Sequence, residues 1–301
     1  MSESAVPLIL DTDIGDDVDD VFALLLAALE PRLNLRCVTT VYGDVAQRAR
    51  IARKLLLLAG RGDVPVAAGH GLTLGGRDPG AMIASGQGFV AAPGSEEWES
   101  LGAGLHPEPA VDVLIESIRA APEPPVLAAV GPLTNLGDAL RRAPDLARRV
   151  RSVVLMGGQL GPDAASGEHN FNSDPQATQI VLESGAPLKI GTYEITRQAR
   201  LSQDHLPRLR AGSPATRAAA EQLALYLGQR NRSATSMYDP LSLTVAYTGA
   251  YLTLSPVSLR VTTQERRAVL HTEAGGTPNA EVSTALDAPA FVEHLLTAIG
   301  A

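Results

Sequence analysis

The chain contains 301 residues, of which 45% are hydrophobic and 19% charged, a composition typical of folded globular proteins and not of disordered ones. Its net charge of −8 argues against a general nucleic-acid-binding protein, because such proteins usually carry a basic surface. The longest apolar run near the start, residues 21–29, is too short to span a membrane, and we recognise no leader peptide. We therefore expect a cytoplasmic protein that binds neither membrane nor nucleic acid. The single cysteine, Cys37, excludes an intrachain disulfide.

Short apolar runs alternate with amphipathic stretches over the first two-thirds of the chain. The pattern predicts strands at residues 7–10, 35–39, 64–67, 125–130, 152–156 and 187–190. It predicts helices between them at residues 19–29, 45–59, 111–120, 135–141 and 175–184. Such an order is typical of an α/β fold, a mainly parallel, doubly wound open sheet with helices on both faces.

The pattern changes after residue 192 and becomes mostly helical. We predict helices at 214–229, 240–246 and 289–299, with a short strand or hairpin within 257–271. No linker rich in Pro, Gly or Ser joins two balanced halves, so we predict a single domain over residues 1–301. Two stretches, 71–104 and 157–173, are predicted to be mobile loops.

Polar residues follow several predicted strands at the point where each strand ends. Asp11 and Asp13 follow the first strand, Asp44 the second, residues 131–135 the fourth and residues 156–159 the fifth. Ligands bind at the carboxyl ends of the strands in such sheets. We therefore expect these separate segments to form one site.

Six aspartates occupy ten consecutive residues, namely Asp11, Asp13, Asp16, Asp17, Asp19 and Asp20. They carry −6, and the other 291 residues together carry only −2. A charged run is usually a solvated surface, and Asp commonly caps helices. However, these acids directly follow an apolar strand and enclose Gly15, which permits a tight turn. Crowded carboxylates at a strand end favour a hard cation such as Ca²⁺ or Mg²⁺.

Three kinds of cation chemistry compete for this cluster. A calcium-binding EF-hand loop starting at Asp11 would need Gly and Glu where Asp16 and Phe22 stand. A phosphatase of the haloacid dehalogenase type would use Asp11 and Asp13, but neither lysine is a convincing partner. The third possibility is metal-assisted attack of water on a sugar.

The motifs of the chain resemble those of the inosine-uridine preferring nucleoside hydrolases. DTDIGDDVDD at 11–20 resembles the metal-binding signature of that family. The other matching motifs occur in the same order: TTVYGD at 39–44, VGPLTN at 130–135, VLMGG at 154–158, EHNFNSDPQA at 168–177 and YDPLS at 238–242. The resemblance implies a Ca²⁺-dependent enzyme that hydrolyses a ribonucleoside to free base and ribose. It also implies a homodimer or homotetramer.

The resemblance implies metal ligands from four places, namely Asp13, Asp20, the main-chain carbonyl of Val130, and Asp239. Asp13 would also be the catalytic base that deprotonates the attacking water. Asp19 would hold a ribose hydroxyl. Asp17 is the alternative if the alignment shifts, because this chain has two more residues after Gly15 than the shortest family form.

The remaining implied roles concern the substrate. Glu168 and Asn170 match ribose-binding residues, and Asp44 and Met156 are further substrate-binding candidates. Asp11 is expected to orient Asp13 from behind. Two polar residues keep plainer interpretations: Asp16 as a solvated cap and Asn135 as a helix cap.

The end of the site that would hold the base departs from the family pattern. Tyr238 stands where the best-known members have a His that helps the base depart, and a phenol is the weaker acid. The stretch Ser-Gly-Gln-Gly at 85–88 lacks the His often found in that loop. Candidates to contact the base are Trp98, Tyr226, Arg197 and His169. The alternative function is therefore a nucleoside- or ribose-binding protein without catalysis, or one of altered specificity.

Overall fold

The computed structural model describes residues 5–80, 86, 88–264 and 266–301. Its strands are β1 (Val6–Thr12), β2 (Leu33–Thr40), β3 (Val66–Ala68), β4 (Val126–Ala129), β5 (Ser152–Met156), β6 (Leu188–Gly191), β7 (Arg200–Ser202), β8 (Ala234–Ser236), β9 (Leu252–Val257), β10 (Leu259–Gln264), β11 (Arg267–Thr272) and β12 (Ala280–Leu286).

The α-helices are α1 (Asp19–Leu29), α2 (Val45–Leu58), α3 (Glu96–Ala103), α4 (Ala110–Ala120), α5 (Thr134–Arg142), α6 (His169–Ser173), α7 (Pro175–Leu182), α8 (Tyr193–Thr196), α9 (Leu206–Ala211), α10 (Pro214–Gln229), α11 (Tyr238–Leu243) and α12 (Ala288–Ala298). Short 3₁₀ turns occupy Pro144–Arg148, Ala164–Ser166, Gln203–His205 and Thr244–Ala246. Across the described residues, no helix combines the length and the apolar character that crossing a bilayer requires.

One eight-stranded sheet forms the centre of the molecule. Its strand order is β3-β2-β1-β4-β5-β6-β12-β9, and every neighbouring pair is parallel except β12 and β9. Two smaller antiparallel pairs, β10 with β11 and β7 with β8, lie outside it. The predicted α/β class with a mainly parallel, doubly wound sheet is therefore confirmed.

Apolar side chains cover both faces of this sheet, which explains the continuous apolar runs of its strands. Leu8 and Leu10 belong to a hydrophobic cluster that includes α1, α2 and α10, whereas Ile9 belongs to a cluster with α4, α5 and α7. Helix α1 is buried from Asp19 to Ala28, which is consistent with the apolar residues on nearly all of its sides. Packing therefore fixes the positions of β1 and α1, between which the acidic segment lies.

Parts of the secondary structure differ from the prediction. The stretch 71–104 contains α3, which Ser95 caps by accepting a hydrogen bond from the Trp98 N–H. The stretch 157–173 contains α6. Strand β9 was not predicted. It contains Pro256 and lies at the sheet edge, where a proline is tolerated. Residues 85 and 87 of the predicted Ser-Gly-Gln-Gly stretch lie outside the described residues.

Candidate active site

A cavity of about 600 Å³ lies at the carboxyl ends of β1 and β4, where the strand order of the sheet reverses. Acids line its floor, while amide, aromatic and cationic groups line its walls. The lining residues are Asp13, Asp16, Asp17, Asp19, Asp20, Val130, Met156, Gln159, Asp163, Ser166, Gly167, Glu168, His169, Asn170, Tyr193, Arg197, Arg230, Tyr238 and Asp239. The segments that follow β1, β4 and β5 therefore meet at this edge of the sheet, as expected, whereas Asp44 after β2 does not belong to the lining.

The acidic segment turns back at Gly15, whose φ of 113° is unfavourable for any other residue. Helix α1 begins at Asp19, and its N-cap residue is Val18, which makes no side-chain capping bond. The prediction of Asp16 as a solvated cap is thus wrong. Asp16 is instead half-buried and lines the cavity.

Three carboxylates from two distant segments meet on the cavity floor. One ligand atom from each of Asp19, Asp20 and Asp239 lies within 4.8 Å of the others. The Asp239 N–H donates to Asp19 Oδ2 at 3.2 Å, and the Thr12 hydroxyl donates to Asp20. Burial, together with repulsion from neighbouring aspartates, raises the pKa of all three acids well above the ordinary range. Buried, hard oxygen donors under such repulsion fit a divalent cation.

Asp13 lies beside this trio, is only 7% exposed, and lines the same cavity. Burial raises its pKa, and the positive charge of Arg48 partly offsets that rise. A Cβ at Gly131 would come within 2.6 Å of Asp13 Oδ1. Glycine at this position is what allows the segment after β4 to approach the Asp13 carboxylate so closely.

Asp11 is fully buried behind Asp13. Its Oδ1 accepts hydrogen bonds from the Thr39 hydroxyl at 2.5 Å and from Asn135 Nδ2 at 2.8 Å. Burial raises the pKa of Asp11 to about 7 despite these two bonds. Asn135 also donates to the Thr40 carbonyl at 3.0 Å and accepts from the His70 N–H at 2.8 Å.

The helix-cap interpretation of Asn135 is therefore wrong. The N-cap residue of α5 is Leu133, and Asn135 lies within the helix. Because its amide points inward at 0% exposure, it links the ends of β1 and β2 to α5.

Glu168 and Asn170 form one wall of the cavity and are held firmly. Glu168 is the N-cap of α6 and accepts from the main-chain N–H groups of Asn170 at 2.8 Å and Gly158 at 3.0 Å. Asn170 Nδ2 donates to the Val130 carbonyl at 2.7 Å and to the Met156 carbonyl at 3.1 Å. The wall is thereby tied to the ends of β4 and β5.

Aromatic and cationic groups form the outer part of the cavity. The rings of Tyr238 and Tyr193 stack with centroids 5.7 Å apart, and the Arg197 guanidinium lies 5.4 Å from the centre of the Tyr193 ring. Burial raises the pKa of Tyr238 to about 12. His169 contacts the edge of Tyr42 at 5.6 Å between centroids.

Three predicted substrate contacts are placed outside this lining. Trp98 packs against the hydrophobic core beneath Arg50, whose guanidinium lies 4.0 Å from the ring centre. Asp44 is exposed and caps α2 by accepting from the Gln47 N–H at 3.0 Å. Tyr226 is buried, and its hydroxyl bonds to Asp17. Of the three, only Tyr226 lies next to a lining residue, so the position of none of them supports direct contact with a substrate.

Two arginines near the cavity were not predicted. Arg230 follows α10 at the exposed rim, and its charge lies 5.5 Å from the Tyr226 ring centre. Arg48 is fully buried beneath the acidic turn. The sequence could have indicated that Arg48 is buried, because this residue lies on the same helical face as the apolar Ile51, Ala52 and Leu55.

The chain is similar to curated nucleoside hydrolases over nearly its whole length. It is 28% identical to the pyrimidine-specific ribonucleoside hydrolase RihA of Citrobacter koseri, over 97% of each chain. It is 29% identical to the non-specific ribonucleoside hydrolase RihC of Salmonella newport, over 96% of this chain and 95% of that one. Uridine nucleosidase 1 of Arabidopsis thaliana is 35% identical over 67% of this chain and 60% of its own length.

Solved structures share the fold. A purine-preferring ribonucleoside hydrolase from Gardnerella vaginalis superposes with a TM-score of 0.81 at 24% identity, covering 97% of this chain and 98% of that one. An inosine-guanosine nucleoside hydrolase gives 0.83 at 23% identity, covering 98% of each. Residues 8–293 match the sequence profile of the family described as inosine-uridine preferring nucleoside hydrolase. The chain therefore belongs to the inosine-uridine preferring nucleoside hydrolase family.

Proposed function

We propose that this protein hydrolyses the N-glycosidic bond of a ribonucleoside, releasing nucleobase and ribose, with Asp13 as the general base. The observation that carries the proposal is the meeting of Asp13 with the Asp19, Asp20 and Asp239 trio beside the wall formed by Glu168 and Asn170. The similarity of the chain to proteins named as ribonucleoside hydrolases supports it.

The proposed cofactor is Ca²⁺, held by Asp13, Asp20, Asp239 and the Val130 carbonyl. The donor set supports this choice, because all four groups offer hard oxygen atoms and all are buried. Asp19 belongs to the tight trio as well, so its carboxylate is a further candidate ligand. When bound, a divalent cation lowers the pKa of a coordinated water molecule.

Side chains of the protein carry out the proton transfer and stabilise the developing charge. Asp13 accepts the proton of the attacking water. Cleavage of the bond builds positive charge on the ribose, which the carboxylates of Asp19 and Glu168 and the amide oxygen of Asn170 stabilise where that charge develops. Because main-chain N–H groups already hold Glu168, little reorganisation is needed during the reaction.

Tyr238 is proposed to assist the departing base by donating a hydrogen bond. Its raised pKa keeps the phenol protonated at neutral pH. The relatives include pyrimidine-specific, purine-preferring and non-specific enzymes, so their names do not fix the base. We further propose that the chain acts as one domain within a homodimer or homotetramer, which light scattering would test.

The test is ribose release from a panel of purine and pyrimidine ribonucleosides in the presence of Ca²⁺. Asp13→Ala should lower kcat/KM by about 10²- to 10⁴-fold, the usual contribution of a general base. Asp63→Ala is the matched control, because Asp63 is an exposed carboxylate paired with Arg61. Absence of ribose from every nucleoside would contradict the proposal. Tight nucleoside binding without ribose release would instead support the alternative, a binding protein on the same fold.

A further inference from the structure

Arg48 is the largest fully buried side chain of the described residues. Its guanidinium donates to main-chain carbonyls on two neighbouring turns. Nε donates to the Tyr42 carbonyl at 2.6 Å, while Nη1 donates to the Ile14 carbonyl at 3.0 Å and also to the Asp13 carbonyl. Nη2 has no hydrogen-bond partner within the described part of the chain. The charge is thus fixed in place by the main chain itself.

A buried guanidinium is unfavourable unless negative charge lies close to it. The acidic cluster supplies that charge, because the Arg48 guanidinium donates to the main-chain carbonyls of Asp13 and Ile14 inside the acidic turn. At this place its positive charge attracts the carboxylates of the same segment, among them the buried Asp13. The attraction works both ways, so the carboxylates stabilise Arg48 and Arg48 relieves their mutual repulsion.

The surrounding backbone shows how closely the turn is held. Tyr42, which accepts from Arg48 through its carbonyl, has a φ of 78°, a left-handed conformation that is uncommon for residues other than glycine. The Arg48 charge also lies 5.7 Å from the centre of the Tyr42 ring, and that ring contacts His169 at the cavity. Arg48 therefore joins the turns after β1 and β2 directly beneath the Asp13 carboxylate.

We propose that Arg48 is a positioning residue that acts as a built-in counter-charge. It holds the carboxylate turn in its folded position when no metal is bound, and it weakens cation binding because it repels the cation. The inference depends on the proposed cation site and does not depend on nucleoside hydrolysis. Its experiment therefore measures Ca²⁺ binding and unfolding in the absence of any nucleoside.

The experiment compares Arg48→Met, Arg48→Lys and wild type by Ca²⁺ titration calorimetry and by thermal unfolding in EDTA and in Ca²⁺. The matched control is Arg53→Met, which removes another α2 arginine that donates to a main-chain carbonyl, that of Gly62 at 2.6 Å. Arg48→Met should bind Ca²⁺ at least about tenfold more tightly than wild type, because repulsion of the cation is lost. Its Tm should fall most in EDTA, and Ca²⁺ should raise that Tm by more than it raises the wild-type value.

Arg48→Lys separates the effect of charge from that of hydrogen-bond geometry, because lysine keeps the positive charge but lacks the planar, forked donors of the guanidinium. Its Ca²⁺ affinity should stay within about threefold of wild type, as should that of Arg53→Met. Equal or weaker Ca²⁺ binding by Arg48→Met would overturn the proposal, since a purely structural role predicts that result. If Arg48→Met does not fold even in Ca²⁺, the proposal is tested by Arg48→Lys. A change in its Ca²⁺ affinity beyond about tenfold would overturn the proposal, because it would show that hydrogen-bond geometry and not charge determines the affinity. Absence of Ca²⁺ binding by wild type would overturn the cation site as well, whether or not ribose is released.

Discussion

Asn135 gives the sharpest prediction about how the site is supported. Its side chain is fully buried and makes three hydrogen bonds, to Asp11 Oδ1 at 2.8 Å, the Thr40 carbonyl at 3.0 Å and the His70 N–H at 2.8 Å. Asn135→Ala removes all three and leaves buried partners unpaired. Each hydrogen bond contributes about 1 kcal/mol, and an unpaired buried group costs about 1–3 kcal/mol. We expect the free energy of unfolding to fall by about 3–5 kcal/mol.

Urea denaturation measures this change, with Asn279→Ala as the control. Asn279 also bonds through its side chain, to the Leu259 N–H at 2.7 Å and the Leu259 carbonyl at 2.9 Å, but it is exposed, so water can replace those bonds. The control should lose only about 1 kcal/mol. A loss below about 1 kcal/mol for Asn135→Ala would refute the reasoning that this amide ties the strand ends together.

Three further predictions concern single positions. Gly131→Ala should weaken Ca²⁺ binding by at least about tenfold in calorimetry, because the new methyl group would displace Asp13; unchanged binding would contradict the close approach. Burial opposes ionisation of Asp138, but hydrogen bonds from His70 and a neighbouring arginine outweigh it and hold the Asp138 pKa below its ordinary value. The stabilisation that ionised Asp138 provides is present above its unfolded-state pKa and is lost as the pH falls through its lower folded-state pKa. In urea denaturation, Asp138→Asn should therefore lower the free energy of unfolding by about 1 kcal/mol at pH 7 and should not change it near pH 2. A loss that does not depend on pH would refute this prediction. Burial raises the pKa of the Cys37 thiol to about 11. At pH 8, a thiol reagent should therefore label Cys37 at least about 100-fold more slowly in the native protein than in the urea-unfolded protein. Similar labelling rates in the two states would contradict the burial of this thiol.

The central sheet could be predicted because its parallel strands are covered on both faces and therefore read as uninterrupted apolar runs. Strand β12 was missed for the opposite reason, since Ala280–Leu286 mixes small, polar and apolar residues and only three of its seven residues are buried. Helix α3 was missed because it is short and lies in a stretch rich in glycine and alanine.

Most of the acidic floor could be recognised from residues 11–20 alone, because a high density of charge is visible without a fold, whereas Asp239 was indicated only by the resemblance of its motif to the family. The environment of isolated side chains could not. Trp98 in a glycine-rich stretch is equally compatible with packing and with binding, and only its position beneath Arg50 decides between them. Asn135 next to a predicted helix start suggested a cap, and only the three-dimensional meeting of β1, β2 and α5 shows its inward bonds.

The floor of the cavity joins residues that lie 220 positions apart, since Asp19 accepts from the Asp239 N–H. Helix α11, which carries Asp239, packs against α1, which carries Asp19 and Asp20. A ribosome-bound chain that has not yet released Asp239 therefore lacks one of the three carboxylates of the trio. The proposed cation site can therefore be complete only after residue 239 has been synthesised and the two helices have docked. Cation binding at this site would thus report that the segment between α1 and α11 has folded. Truncation of the chain before α11 should abolish that binding.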